Sequence, residues 1–263
     1  MGVLSYPAID PVLLEIGPLT IRWYALSYIA GIILAWRYMF VLAKRSQIQL
    51  IKSHIDDFMV WATLGIIFGG RVGYILFYKP AYYLDNPLEI LAVWQGGMSF
   101  HGGLLGVILA TWWFSRLRGY SWIALGDIVA CTAPLGLFLG RLANFINGEL
   151  YGRVTESPLG MIFPDGGPLP RHPSQLYEAL LEGVILFSLL LWLAHKKSSF
   201  MRTGFLSGVF LTGYAITRAF AELFREPDPH LGYLFLETTM GQWLSLPLLL
   251  IGIWLIIRSR KYV

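Results

Sequence analysis

Apolar runs of about 20 residues recur along this chain, and no other feature constrains its fold as strongly. Coiled as a helix, each run can cross a hydrocarbon layer roughly 30 Å thick. Lipid offers the backbone no hydrogen-bond partners, so such runs must satisfy themselves as helices. The expectation is an all-α, polytopic membrane protein with seven transmembrane helices, near residues 19–41, 57–78, 97–115, 126–146, 175–194, 204–224 and 239–257. Composition agrees: 14% of residues are charged, against roughly 25% in soluble domains, and mean hydropathy is +0.59. The many Trp, Tyr and Phe suit belts at two membrane interfaces.

Basic residues orient the spans. One set of alternate loops and the C-terminal tail collects Lys44, Arg45, Lys52, Arg116, Arg118, Lys196, Lys197, Arg202, Arg258, Arg260 and Lys261. The opposite set holds Lys79, Arg153, Arg171 and Arg225. The positive-inside rule makes the first set cytoplasmic, which puts the N-terminus outside and the C-terminus inside. Residues 1–263 then form one transmembrane domain, capped on the outer side mainly by 147–174 and 79–96. The first residues carry acids and prolines without a basic stretch, unlike a cleaved signal peptide. No basic stripe interleaved with aromatics supports nucleic-acid binding. The single cysteine, Cys131, excludes an internal disulfide and reads as a buried apolar residue. The five histidines are too dispersed for a metal site, and no cofactor is expected.

Glycine pairs at helix-contact spacing are Gly65 with Gly69, Gly102 with Gly106, Gly136 with Gly140, and Gly204 with Gly208. Such spacing lets helix backbones approach closely in lipid. Charged residues inside the spans need a different explanation. In GRLANFINGE (140–149), Arg141, Asn144 and Gly148 share a helical face, with Glu149 beside it. An arginine costs about 2.5–3.5 kcal/mol at a bilayer centre on insertion scales, so this face must look into a bundle, a cavity or a ligand.

In GYAITRAFAELFREPD (213–228), Tyr214, Arg218, Glu222 and Arg225 fall on one face. Arg218 and Glu222 either satisfy each other or serve a site, to which Arg225 adds an unpaired positive charge. Both arginine-bearing helices point their polar ends outward, so Arg141 and Arg218 can meet near the outer leaflet. Guanidinium forks suit phosphate oxygens. His101, in WQGGMSFHGGLLG (94–106), enters from the same side and reads either as an interfacial residue or as a base. Glu178 and Glu182, in PRHPSQLYEALLEG (170–183), lie one turn apart; sharing a proton, contacting an arginine and simple packing all stay open. Tyr24, beside Arg22 and Trp23, reads as an interfacial anchor or a binding residue. Arg71 shares a face with Tyr74 and Tyr78, with the same alternatives.

With these stretches in hand, the chain resembles the bacterial prolipoprotein diacylglyceryl transferase family over nearly its whole length. WYALSY, GGRVGYILFY, GGMSFHGGLLG, GRLANFINGE, RHPSQLYE and FREPD occur here in that family's order. GRLANFINGE is the specific one. The resemblance implies a multi-pass enzyme of the bacterial inner membrane, with its N-terminus and active site toward the periplasm. It implies transfer of the diacylglyceryl group of phosphatidylglycerol to the lipobox cysteine thiol of a preprolipoprotein signal peptide. The product is a thioether, glycerol phosphate leaves, and the step opens lipoprotein maturation. By motif, Arg141 matches the family's head-group arginine and Arg218 its second essential arginine. His101, Tyr24, Asn144, Glu149, Gly152 and Glu222 match positions assigned to binding or catalysis.

The residues themselves fit this chemistry. The nucleophile belongs to the peptide, so the enzyme needs no serine or cysteine of its own. Its tasks are to assist thiolate attack and to stabilise the departing phosphate. Taken with the resemblance, this implies catalytic roles for His101, Arg218, Glu149 and Glu222, with His101 the leading base and the two carboxylates its alternatives. Substrate binding falls to Arg141, Asn144, Tyr24, Gly152, Tyr214 and Arg225. The competing class is a transporter or binding protein for an anionic lipid or phosphorylated substrate. Its expected mark, broken helices paired in two related halves, is absent. An intramembrane protease would need a Ser–His or Asp–Asp arrangement that is not evident.

Overall fold

A computed structural model of the chain describes residues 4–7, 9–17, 19–93, 96–227, 232 and 234–259. Trp94, Gln95, Asp228, Arg260 and Lys261, used in the sequence reading, lie outside the described residues. In chain order the strands are β1 (Leu4–Ser5), β2 (Val12–Ile16), β3 (Leu19–Arg22) and β4 (Met161–Ile162). The principal helices are α1 (Trp23–Ala43), α2 (Lys52–Tyr78), α3 (Pro80–Asp85), α4 (Phe100–Arg118) and α5 (Trp122–Ile146), followed by α6 (Ser174–Ala194), α7 (Phe205–Ala221) and α8 (Met240–Ser259).

Helices therefore occupy every predicted segment. By length and composition five helices, α1, α2, α5, α6 and α8, are each apolar enough to cross a membrane, while α7 is shorter and α4 is not among the five. Exposed apolar side chains such as Ile33, Phe68, Leu109, Trp192 and Trp254 lie along these helices. Such surface is costly in water and costless against lipid.

The strands depart from the all-helical expectation. The first predicted span starts at Trp23 and not at residue 19, because β2 and β3 pair as an antiparallel hairpin. Gly17, with φ +57°, supplies the left-handed turn residue between them. β1 pairs in parallel with β4, tying the N-terminus to the loop before α6.

The chain divides into two compact units, Ser46–Gly126 and the remainder. In the first, α2 and α4 pack along a glycine stripe. A Cβ built on Gly106 would strike the carbonyl of Gly65, and one on Gly102 that of Gly69. The predicted helix-contact role thus holds for both pairs. Arg71 is buried here, donating to the carbonyls of Glu89, Ile90 (2.9 Å), Gly96 (2.6 Å) and Gly97 (3.3 Å). That explains a cation within the span: it holds the backbone at 89–90 and 96–97 and lies over the Tyr83 ring. At the other end of α2, Asp57 pairs with Arg118 at 2.6 Å.

In the larger unit, α7 and α8 approach closely at Gly208 and Gly252. Gly204 has a different role from its expected one. It precedes α7 with φ +91°, and its N–H, like that of Ser207, donates to the buried carboxylate of Asp127 at 2.7 Å. The expected role is not seen for Gly136 and Gly140: a Cβ on either would meet nothing within 4 Å, and one on Gly31 of α1 would reach Gly136 only at an ordinary 3.4 Å. Cys131 is buried, as expected of a small apolar side chain.

These contrasts give a stability prediction. Gly106→Ala is expected to lose about 1–3 kcal/mol by forcing two helix backbones apart. Gly140→Ala is expected to gain up to about 1 kcal/mol from helix propensity. Unfolding of the purified variants in mixed micelles measures both, and equal effects would contradict the packing described.

Candidate active site

The larger unit gathers three arginines and three glutamates on the polar ends of its helices. α5 brings Arg141, α6 brings Glu178 and Glu182, and α7 brings Arg218, with Glu222 and Arg225 just past its end. Gly183 permits the approach of α6 to α5: a Cβ there would lie 2.7 Å from the Cβ of Phe138. Between Ala179 and Ile185 the helix widens into a π turn, a local irregularity frequent at functional sites.

Glu178 is the hub. Its Oε2 lies 2.6 Å from Arg141 Nε and 3.3 Å from Arg218 Nη1, and its Oε1 lies 3.4 Å from Arg225 Nη1. Glu182 stands farther off, 3.5 Å from Arg141 Nη2 and 3.8 Å from Arg218 Nη1. Glu222 accepts from Arg218 Nη2 and, at 2.6 Å, from the Thr239 hydroxyl. Arg225 Nε lies 3.9 Å from Glu222. The expected pairing of Arg218 with Glu222 is therefore present, and Arg218 also reaches the two acids of α6. The unpaired charge expected of Arg225 is not found, because Glu178 and Glu222 both face it.

The acids are sealed in more completely than the bases. Side-chain exposure is 0% for Glu182 and 1% for Glu178, but 16% for Arg141 and 14% for Arg218. The guanidiniums thus keep an accessible side while carboxylates back them. Arg218 Nη1 is a buried donor without an aligned acceptor, and Glu178 Oε2 and Glu182 Oε1 are buried acceptors without an aligned donor. Pairs this well buried are weak sources of net stability. An anion with several oxygens is the ligand such forks recognise. The Tyr214 phenol lies within electrostatic reach of Arg141, Arg218, Glu178 and Glu182.

The rest of GRLANFINGE forms a second cluster. Asn144 and Asn147 donate to Glu149 Oε1 at 2.8 and 3.3 Å. Gln175 Nε2 donates to the Glu149 carbonyl at 2.6 Å. Among the described residues two carboxamides hold the Glu149 carboxylate. Tyr6 caps α5, its hydroxyl donating to the carbonyls of Phe145 and Ile146 at 2.6 and 2.8 Å; burial pushes its pKa up. The Tyr24 hydroxyl meets Tyr28 at 3.2 Å and lies within electrostatic reach of Glu149 and Arg141.

The loop before α6 folds back over the end of α7. Gly152 N–H donates to the His172 carbonyl at 2.8 Å, and a Cβ on Gly152 would strike the Phe224 carbonyl. No side chain fits there, so Gly152 acts through backbone crowding. Arg153 donates to the carbonyls of Arg225 and Glu222 at 2.9 and 3.1 Å. Arg171 pairs with Glu226 at 3.1 Å. His172, next in sequence, packs on Phe224 and Tyr177, and burial lowers its pKa.

His101 belongs to the smaller unit, in the first turn of α4, where Ser99 Oγ accepts from the Gly102 N–H at 3.3 Å. Its side chain is exposed, with its ring 5.6 Å from that of Phe100. Among the described residues no three His, Cys, Asp or Glu side chains are arranged to hold a metal ion.

Sequence alone leaves Glu178 and Glu182 among several alternatives, marks Arg153 only as an outer-loop cation, and does not single out Thr239 or Gln175. For the two glutamates the signal was available: carboxylates one turn apart in an apolar run demand cations as firmly as Arg141 demands anions.

Comparisons with known proteins identify the family of the chain. The family profile described as prolipoprotein diacylglyceryl transferase matches residues 11–258. The chain is 57% identical to the phosphatidylglycerol–prolipoprotein diacylglyceryl transferase of Paramagnetospirillum magneticum, with 98% of each chain covered. It is 56% identical to that of Rhodospirillum rubrum, covering 98% of this chain and 95% of the relative. The Rickettsia felis protein of the same name is 49% identical, with 97% of this chain and 99% of the relative covered. On this agreement, which extends over nearly its whole length, the chain belongs to the prolipoprotein diacylglyceryl transferase family.

Proposed function

We propose that this protein transfers the diacylglyceryl group of phosphatidylglycerol to the lipobox cysteine of a preprolipoprotein, in the bacterial inner membrane. The observation that carries the reading is the convergence of Arg141 and Arg218, from separate helices, on the same two buried carboxylates. A phosphodiester offers oxygens to both forks in the same way.

In this reading seven helices cross the membrane, with the N-terminus and site toward the periplasm and the C-terminus cytoplasmic. Residues 147–174 and 79–96 cap one transmembrane domain. The cysteine sulfur attacks the glyceryl carbon that bears the phosphate; the S–C bond forms as the C–O bond breaks. Glycerol phosphate departs with the bonding electron pair, stabilised by Arg141 and Arg218. His101 takes the thiol proton. Tyr24, Asn144, Tyr214 and Arg225 bind the lipid head, with Gly152 shaping that binding site through its backbone, and Glu149 and Glu222 serve catalysis beside His101 and Arg218.

Purified protein, phosphatidylglycerol and a lipobox peptide supply the test, read by mass spectrometry. The expected result is addition of diacylglyceryl to cysteine. An unchanged peptide mass, from folded protein that binds the lipid, overturns the transferase reading and favours a binding or transport protein. His101→Gln is expected to lower turnover about 10²-fold or more. Full turnover in that variant would remove His101 as the base.

A further inference from the structure

The cluster is formally neutral: Arg141, Arg218 and Arg225 against Glu178, Glu182 and Glu222. Within it Glu182 is both the most enclosed acid and the least well held. Its contacts to cations are 3.5 and 3.8 Å, while Glu178 has one at 2.6 Å and Glu222 has Arg218 and a hydroxyl at 2.6 Å. Its Oε1, like Glu178 Oε2, makes no aligned hydrogen bond, so the longer distances are what set Glu182 apart. The groups facing it are Glu178 on its own helix, Arg141 on α5, and Tyr214 and Arg218 on α7. Through Arg218 and Glu178 it is coupled to Glu222 and Arg225.

An anion that takes the forks of Arg141 and Arg218 has two effects on Glu182. It competes for the two cations that Glu182 contacts among the described residues, and it adds a negative charge to an enclosed, neutral set. Like charges confined together in low dielectric do not all stay ionised, and the most weakly paired is neutralised first.

We propose that Glu182 takes up one proton from solvent when a phosphodiester head group binds Arg141 and Arg218, and releases it when the anion leaves. The proposal rests on the head-group reading of the cluster. A phosphodiester remains singly charged near neutral pH, so one anion plus one proton restores the original neutrality. The protonated carboxyl gains an O–H donor, which can meet a phosphate oxygen or Glu178.

The test uses the full chain in micelles, titrated calorimetrically with short-chain phosphatidylglycerol in two buffers of different ionisation enthalpy. The expected result is uptake of about one proton per lipid bound, with Kd weakening about tenfold per pH unit where the coupling is complete. Glu182→Gln is expected to bind with no proton uptake and a flat pH profile. Short-chain diacylglycerol, lacking the phosphate, is expected to show neither. Should Glu182→Gln not fold, infrared difference spectra of the wild type on lipid binding are expected to gain a protonated-carboxyl band. Binding without proton uptake overturns the proposal and leaves the head-group reading intact, as does unchanged uptake in Glu182→Gln. Absence of phosphatidylglycerol binding overturns both.

Discussion

Arg141→Ala and Arg218→Ala are each expected to lower the initial rate of lipobox-peptide lipidation about 10²–10³-fold. That is the scale for losing a preorganised donor aimed at developing negative charge. The argument starts from position. Each guanidinium touches Glu178 and Glu182, and each keeps more exposure than the acids behind it. Lysine should rescue poorly at both positions, because a point charge cannot span acceptors that a planar fork spans. Alanine also leaves a buried carboxylate short of its cation, so lost folding must be separated from lost chemistry. Pairing Arg141→Ala with Glu182→Gln restores the charge balance. If the double variant folds and lipidates peptide at the wild-type rate, Arg141 has no part in stabilising the leaving phosphate.

Much of this architecture was legible in sequence because lipid imposes a simple ruler. A helix must run about 20 residues to cross, and the helices found match the predicted runs closely. The hairpin before α1 was less legible, since VLLEI and LTIR look like the apolar start of a span. Its one signal is the Gly17–Pro18 dipeptide, a turn mark between two strand-like runs.

At the site, the cost of burying arginine found Arg141 and Arg218, and helical spacing found Glu222 and Arg225. Spacing alone could not reveal what faces what across helices. Arg225 thus looked unpaired although Glu178, 47 positions earlier, sits against it. Glu178 and Glu182 were weighed as one pair among several options when the burial cost that flagged Arg141 applied equally to them. The π turn, which depends on the local packing of α6, had no mark in the sequence.

Glu178→Leu is expected to destabilise the protein by about 3–5 kcal/mol, the cost of stripping the partner from buried charge. Glu178 contacts all three arginines. Without it Arg141 retains, among the described residues, its pairing with Glu182 at 3.5 Å, and the set carries a net positive charge in an enclosed place. Glu178→Gln makes the same change of charge while keeping the shape and an acceptor oxygen, so its loss should be smaller. A cluster with surplus positive charge should also hold an anion more tightly. Whatever binds the folded state stabilises it by mass action. Short-chain phosphatidylglycerol should therefore raise the Tm of Glu178→Gln by more than it raises that of the wild type, and diacylglycerol should not distinguish them. Equal Tm shifts in the two proteins would mean that the head group does not meet the arginines Glu178 holds.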